Sequence, residues 1–103
     1  MTFKIKADPT FKATLTITGQ GREQQLNVTF KHMPRKEYLG LLEAIKDEKV
    51  TVADALLKLV ADWDADMPLN AESLELLQEH QPGSDWAIIT SYGEALVVAR
   101  KGN

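Results

Sequence analysis

The 103-residue chain has no cysteine. That absence excludes disulfide scaffolds, thiol nucleophiles and thiolate metal sites together. Two histidines, His32 and His80, lie far apart with no second histidine at ligand spacing, which argues against a transition-metal site. Six glycines and four prolines are too few for a low-complexity or collagen-like chain. No apolar run approaches the ~18 residues of a membrane span. The opening Met1-Thr2-Phe3-Lys4-Ile5-Lys6 meets Asp8-Pro9 with no apolar stretch behind it, unlike a signal peptide. An excess of positive charge is lacking too: the net charge is −3, which speaks against a dedicated nucleic-acid binder.

What is present suits one folded domain spanning 1–103. The length falls below the ~150 residues expected per domain. Hydrophobic residues at 44% and charged residues at 26% are near soluble globular averages. Charge is unevenly spread. Met1–Arg35 carries six positive and two negative residues, whereas Thr51–Asn103 carries three positive and nine negative. Two solvated faces that differ would explain this. So would a basic end and an acidic end that attract each other between copies, a heterologous contact that builds rings or open stacks and weakens with salt.

The pattern predicts an α+β fold: an N-terminal antiparallel β-hairpin over 11–32, then about four helices over 35–101. Phe11, Ala13, Leu15 and Ile17 alternate with polar residues, as do Leu26, Val28 and Phe30, around a Gly-containing turn at 19–23. Phe3-x-Ile5 is a candidate third strand or a loose arm. His32 continues the Leu26, Val28, Phe30 face. Pro34 suits a helix start, with Tyr38, Leu41, Leu42 and Ile45 at helical spacing. Thr51 with Asp54 reads as a capped start of a second helix, whose apolar face runs through Ala55, Leu56, Leu59, Val60 and Trp63. Asn70 caps a third helix, holding Leu74 and Leu77. Ser84 caps a fourth, with Trp86, Ile89, Tyr92, Leu96 and Val97 inward and Gly93 as a weak point.

Candidate chemistry is sparse. Gly19-x-Gly21 lacks the third glycine of a dinucleotide loop and leads into a strand, so a hairpin turn is the better reading. Asp62, Asp64 and Asp66 occupy the first, third and fifth places of a calcium loop, but Met67 stands where glycine is needed and Ser73 where a bidentate glutamate belongs. An acidic loop facing solvent or a partner fits better than a cation site. No catalytic constellation is recognisable. Among the aromatics, Trp63 is best placed for a partner, at a helix end beside the acidic loop.

Four segments in succession carry a resemblance. Phe3-Lys4-Ile5-Lys6-Ala7-Asp8-Pro9-Thr10-Phe11-Lys12 opens the chain, and Val28-Thr29-Phe30-Lys31-His32-Met33-Pro34-Arg35 precedes the first helix. Trp63-Asp64-Ala65-Asp66-Met67-Pro68-Leu69-Asn70 leads to a Glu-Ser-Leu helix start, and Ala99-Arg100-Lys101-Gly102-Asn103 ends the chain. Together they resemble the tail assembly chaperones of long, non-contractile-tailed phages and prophages. The resemblance implies a non-enzymatic protein without cofactors, acting in the cytoplasm of the bacterial host and absent from the mature virion. Its partners would be the tape-measure protein, the tail-tube protein, further copies of itself and a longer frameshifted form, with no nucleic acid or membrane. The family's tendency to self-associate agrees with the charge split. The candidates for partner or self contacts are Lys12, Lys31 and Arg35 on the basic side, and Asp62, Trp63, Asp64 and Asp66 on the acidic side. A structural tail completion or connector component, and a small cation-binding domain, are the alternatives.

Overall fold

The structure is a computed structural model that describes residues 2–97. The elements are β1 (Thr10–Gly19), β2 (Arg22–Lys31), α1 (Arg35–Lys46), α2 (Val52–Leu59), β3 (Val60–Trp63), α3 (Ala71–His80) and α4 (Ser84–Leu96). The three strands form one antiparallel sheet in the order β1-β2-β3. The α+β reading and the hairpin therefore stand. The closing Ala99–Asn103 segment and the end of the expected 35–101 helical part lie outside the described residues.

Gln20 and Gly21 both take positive φ, 53° and 73°, so a two-residue turn of the primed type joins the strands. Its twist matches the strands and fixes the register Gly19↔Arg22 through Thr10↔Lys31. That register puts Leu15, Leu26, Val28 and Phe30 on one face, where they are buried. Threonines 10, 14, 16 and 18 and Lys12 take the other face and are exposed.

The third strand is not the Phe3-x-Ile5 segment. It is β3, which pairs with β2 through Val28↔Trp63, Thr29↔Asp62 and Phe30↔Val60. The helical face expected to run through Val60 and Trp63 thus ends at Leu59. Ala61 is the extra residue of a β-bulge, so Val60 and Trp63 reach the inner face although three positions apart. A bulged strand here imitates helical periodicity.

The core lies between the sheet and the helices. Ala55, Leu56 and Leu59 of α2 and Ile88, Ile89 and Tyr92 of α4 are buried in one cluster with the inner face of the hairpin, and Leu74 of α3 joins it from the helical side. Phe11, Phe30, Tyr92 and Tyr38 form a chain of aromatic contacts, with Phe30 edge-on to Tyr92 at 5.1 Å between centroids. The phenol of Tyr92 donates to the Lys31 carbonyl at 2.9 Å, and that of Tyr38 to the Ile89 carbonyl at 3.1 Å. Burial pushes both phenols above the ordinary tyrosine value, so they remain neutral donors.

The predicted caps hold at two helices. Thr51 accepts from the Asp54 N–H at 3.1 Å, and Asn70 from the Ser73 N–H at 2.9 Å. At α4 the cap is Gly83, in the left-handed region at φ 92°, and Ser84 is the first helical residue. Ser84 donates instead to the Gln81 carbonyl, closing the preceding turn at 2.7 Å. His32 does not extend the inner face; it is exposed, and its N–H donates to the Pro9 carbonyl at 2.8 Å.

Candidate partner-binding surfaces

The solvent face of the sheet gathers several of the charged candidates. Lys12, Thr29 and Asp62 form one cross-strand row, because Thr29 pairs with both neighbours. Thr14, Asn27 and Asp64 lie beside one another next along the sheet. Thr14 donates to Asn27 Oδ1 at 2.7 Å; Asn27 donates its backbone N–H and Nδ2 to the two Asp64 oxygens at 2.9 and 2.7 Å. The Asp64 N–H completes the link by donating to the Asn27 carbonyl at 3.1 Å. The Asn27 side chain and then its backbone N–H hold the Asp64 carboxyl below the usual carboxylate range. Asp64 is thus a tie that extends the β2·β3 pairing by one residue.

Asp62 and Asp66 are exposed. Lys31, at the end of β2, reaches the Leu57 carbonyl with its ammonium at 3.4 Å, and Arg35 is exposed at the start of α1. Lys12 shares a sheet row with Asp62, so the uneven charge along the sequence does not become two wholly separate poles. Among the described residues, no group of three or more His, Cys, Asp or Glu is arranged to hold a metal ion.

Trp63 turns its ring to the inner side of β3, half-buried, and its Nε1–H donates to the Met67 carbonyl at 2.8 Å. This bond folds the acidic loop back towards α3. Trp63, Met67, Leu76 and Leu77 line an apolar groove there, with Asp66 and His80 among the other lining residues. Met67 and Leu76 are exposed.

A second groove runs between α1 and α4. Tyr38, Leu42, Trp86, Ile89, Gly93 and Val97 line it, with Thr90 and Glu94 as its polar members. Trp86 and Val97 are 45% and 71% exposed, so neither packs inward as the periodicity predicts. The fully buried stripe of α4 is Ile88, Ile89 and Tyr92. Trp86 and Val97 open to solvent beside that stripe, and Gly93 and the buried Ile89 form the groove floor between them. At that floor Gly93, whose missing side chain leaves room for the Tyr38 ring, lets α1 rest on α4. Spacing alone does not say which of two adjacent apolar stripes faces the core, so it places Trp86 inside where the structure places it outside. Asp85, one residue earlier, is buried and accepts from the Gln78 amide at 2.9 Å, a placement that the sequence alone does not announce.

No described helix is long and apolar enough to cross a membrane. Compared with curated proteins and with solved structures, the chain has no match. The family model described as phage tail assembly chaperone matches residues 1–103, the whole chain. The chain belongs to the phage tail assembly chaperone family.

Proposed function

We propose that this protein binds the tape-measure protein and keeps it soluble while tail-tube subunits polymerise around it. The observation that carries this reading is the groove between α1 and α4, an apolar trough with an exposed tryptophan and valine along one lip. Such a trough takes the apolar face of an amphipathic helix, with anchors at helical spacing. A tryptophan at its edge is the residue type that most often dominates binding energy. Many copies along one long partner convert weak single contacts into firm holding.

The role is non-enzymatic and needs no cofactor: the chaperone works by covering apolar surface. It acts in the cytoplasm of the bacterial host and leaves before the virion is complete. Its partners are the tape-measure protein, the tail-tube protein, a longer frameshifted form and further copies of itself. Self-association runs head to tail and uses the basic hairpin against the acidic segment around Asp62 and Asp66. Co-expression with the tape-measure protein of the same phage or prophage, followed by pull-down, tests the reading. Soluble, co-purifying tape-measure protein supports it. Mass spectrometry of purified particles is the companion measurement, since retention of this chain in the virion would make it a structural tail component instead.

A further inference from the structure

Residues 2–9 precede β1 without regular secondary structure, anchored at their end where the Pro9 carbonyl accepts from His32. Within them Phe3 and Ile5 are 84% and 90% exposed, more than any other large hydrophobic residues described. Lys4 and Lys6 alternate with them. Phe3-Lys4-Ile5-Lys6 therefore has the period of a strand with one apolar and one basic face, yet among the described residues it has neither a strand partner nor an apolar bed.

The molecule also presents a surface of the complementary kind. β3 is an edge of the sheet, so no described strand covers its outer side. Below that edge lies the apolar groove of Trp63, Met67 and Leu76, and on the solvent face stands the exposed Asp62, with Asp66 at the groove. A strand laid along β3 would place alternate residues in the groove and the others beside the acids. The opposite edge, β1, is less suitable, because its solvent-face row contains Lys12 and would repel a basic strand.

We infer that Phe3–Lys6 of one copy adds as a fourth strand to the outer edge of β3 in a second copy. Phe3 and Ile5 enter the groove of Trp63, Met67 and Leu76, while Lys4 and Lys6 lie on the solvent face beside Asp62 and within the field of Asp66 at the groove rim. This inference rests on the self-association proposed above, keeps its acidic side and puts the arm that precedes the hairpin, not the hairpin itself, on the basic side. The contact forms between copies rather than within one. From the start of β1 at Thr10, the place beyond β3 is three strand spacings away, about 14 Å. At ~3.4 Å per residue that crossing consumes about four residues, Pro9 back to Lys6, so within one chain Lys6 is spent on the crossing and the whole Phe3–Lys6 strand is available only to a second copy. Because arm and edge are different surfaces, the contact is heterologous and propagates into chains or rings.

Sedimentation velocity of the full chain at low salt tests this. Phe3→Ser with Ile5→Ser alters residues that touch little of their own fold, so folding is retained, and it should weaken association about a hundredfold or more. Lys4→Glu with Lys6→Glu, and separately Asp62→Lys with Asp66→Lys, should each weaken it about tenfold. Mixing these two charge-reversed chains should restore association, since each arm then meets an edge of opposite sign. If the wild type stays monomeric, the self-association reading falls and this inference with it. If the wild type associates but the arm variants do so equally well, the arm inference alone is wrong. If the arm variants lose association while Asp62→Lys with Asp66→Lys does not, the arm docks elsewhere than β3, and the assignment to that edge is overturned.

Discussion

The Tyr38 hydroxyl occupies the space that a side chain at position 93 would need: a Cβ placed on Gly93 falls 2.6 Å from its Oη and 3.2 Å from its Cζ. The ring is buried, and its hydroxyl donates to the Ile89 carbonyl one helical turn before Gly93, so it has little freedom to retreat. The contact of Tyr38 of α1 with α4 at the floor of the proposed binding groove depends on this one missing side chain.

Gly93→Ala should therefore destabilise the protein although alanine is the better helix former. Overpacking costs about 1–3 kcal/mol, and the gain in helix propensity returns about 1 kcal/mol, leaving a net loss of about 1 kcal/mol. Urea unfolding measures it. In a Tyr38→Phe background, where Oη is gone, the same substitution should cost less, and the difference between the two backgrounds reports the contact directly.

The end of α1 offers the opposite case. Glu48 sits at φ 60°, just past the helix, where the Glu48 N–H bonds the Ile45 carbonyl at 3.0 Å and the Lys49 N–H the Ala44 carbonyl at 2.9 Å. This is the left-handed helix-ending motif that glycine ordinarily fills. Glu48→Gly should raise stability by about 0.5–1 kcal/mol by relieving the left-handed strain, while Glu48→Ala should not, because alanine meets the same strain. Thermal or urea unfolding of the two variants side by side checks this.

Acid should loosen the β2·β3 junction. The Asp64 carboxyl is held below its usual range by the Asn27 side chain and backbone N–H. A carboxylate with a lowered folded-state pKa contributes stability that is complete above the unfolded value and is lost as pH falls through the folded one. The wild type should therefore lose more stability than Asp64→Asn between about pH 6 and about pH 3, the range in which carboxylates titrate. Urea midpoints at the two pH values give the comparison; equal losses would mean that the Asp64–Asn27 tie contributes nothing.

The hairpin was legible in the sequence because strict alternation through Leu15, Leu26, Val28 and Phe30 has no helical counterpart. Thr51 and Asn70 were legible as caps because their short side chains reach the N–H three residues on. β3 was not, since the bulge at Ala61 puts Val60 and Trp63 on one face at a spacing a helix also produces. Pairing with β2 decides that segment, and pairing is a long-range fact. The acidic residues were visible as charges, but their different roles were not. Asp64 is bound to Asn27 thirty-seven positions earlier, whereas Asp62 stands free of that network. Trp86 read as core for the same reason: two adjacent apolar stripes on α4 share one periodicity, and only packing against α1 and the sheet chooses between them.

The most direct test of the binding role is the solubility of the tape-measure protein co-expressed with wild type or with Trp86→Ser. Trp86 is 45% exposed and lines the groove without filling the core, so its loss should leave the fold intact. The account predicts that the wild type keeps the tape-measure protein soluble and co-purifies with it, and that Trp86→Ser loses most of both. A folded wild-type chain that neither binds nor solubilises the tape-measure protein would contradict the proposed function; a Trp86→Ser chain that does both as well as the wild type would contradict the placement of the binding site between α1 and α4.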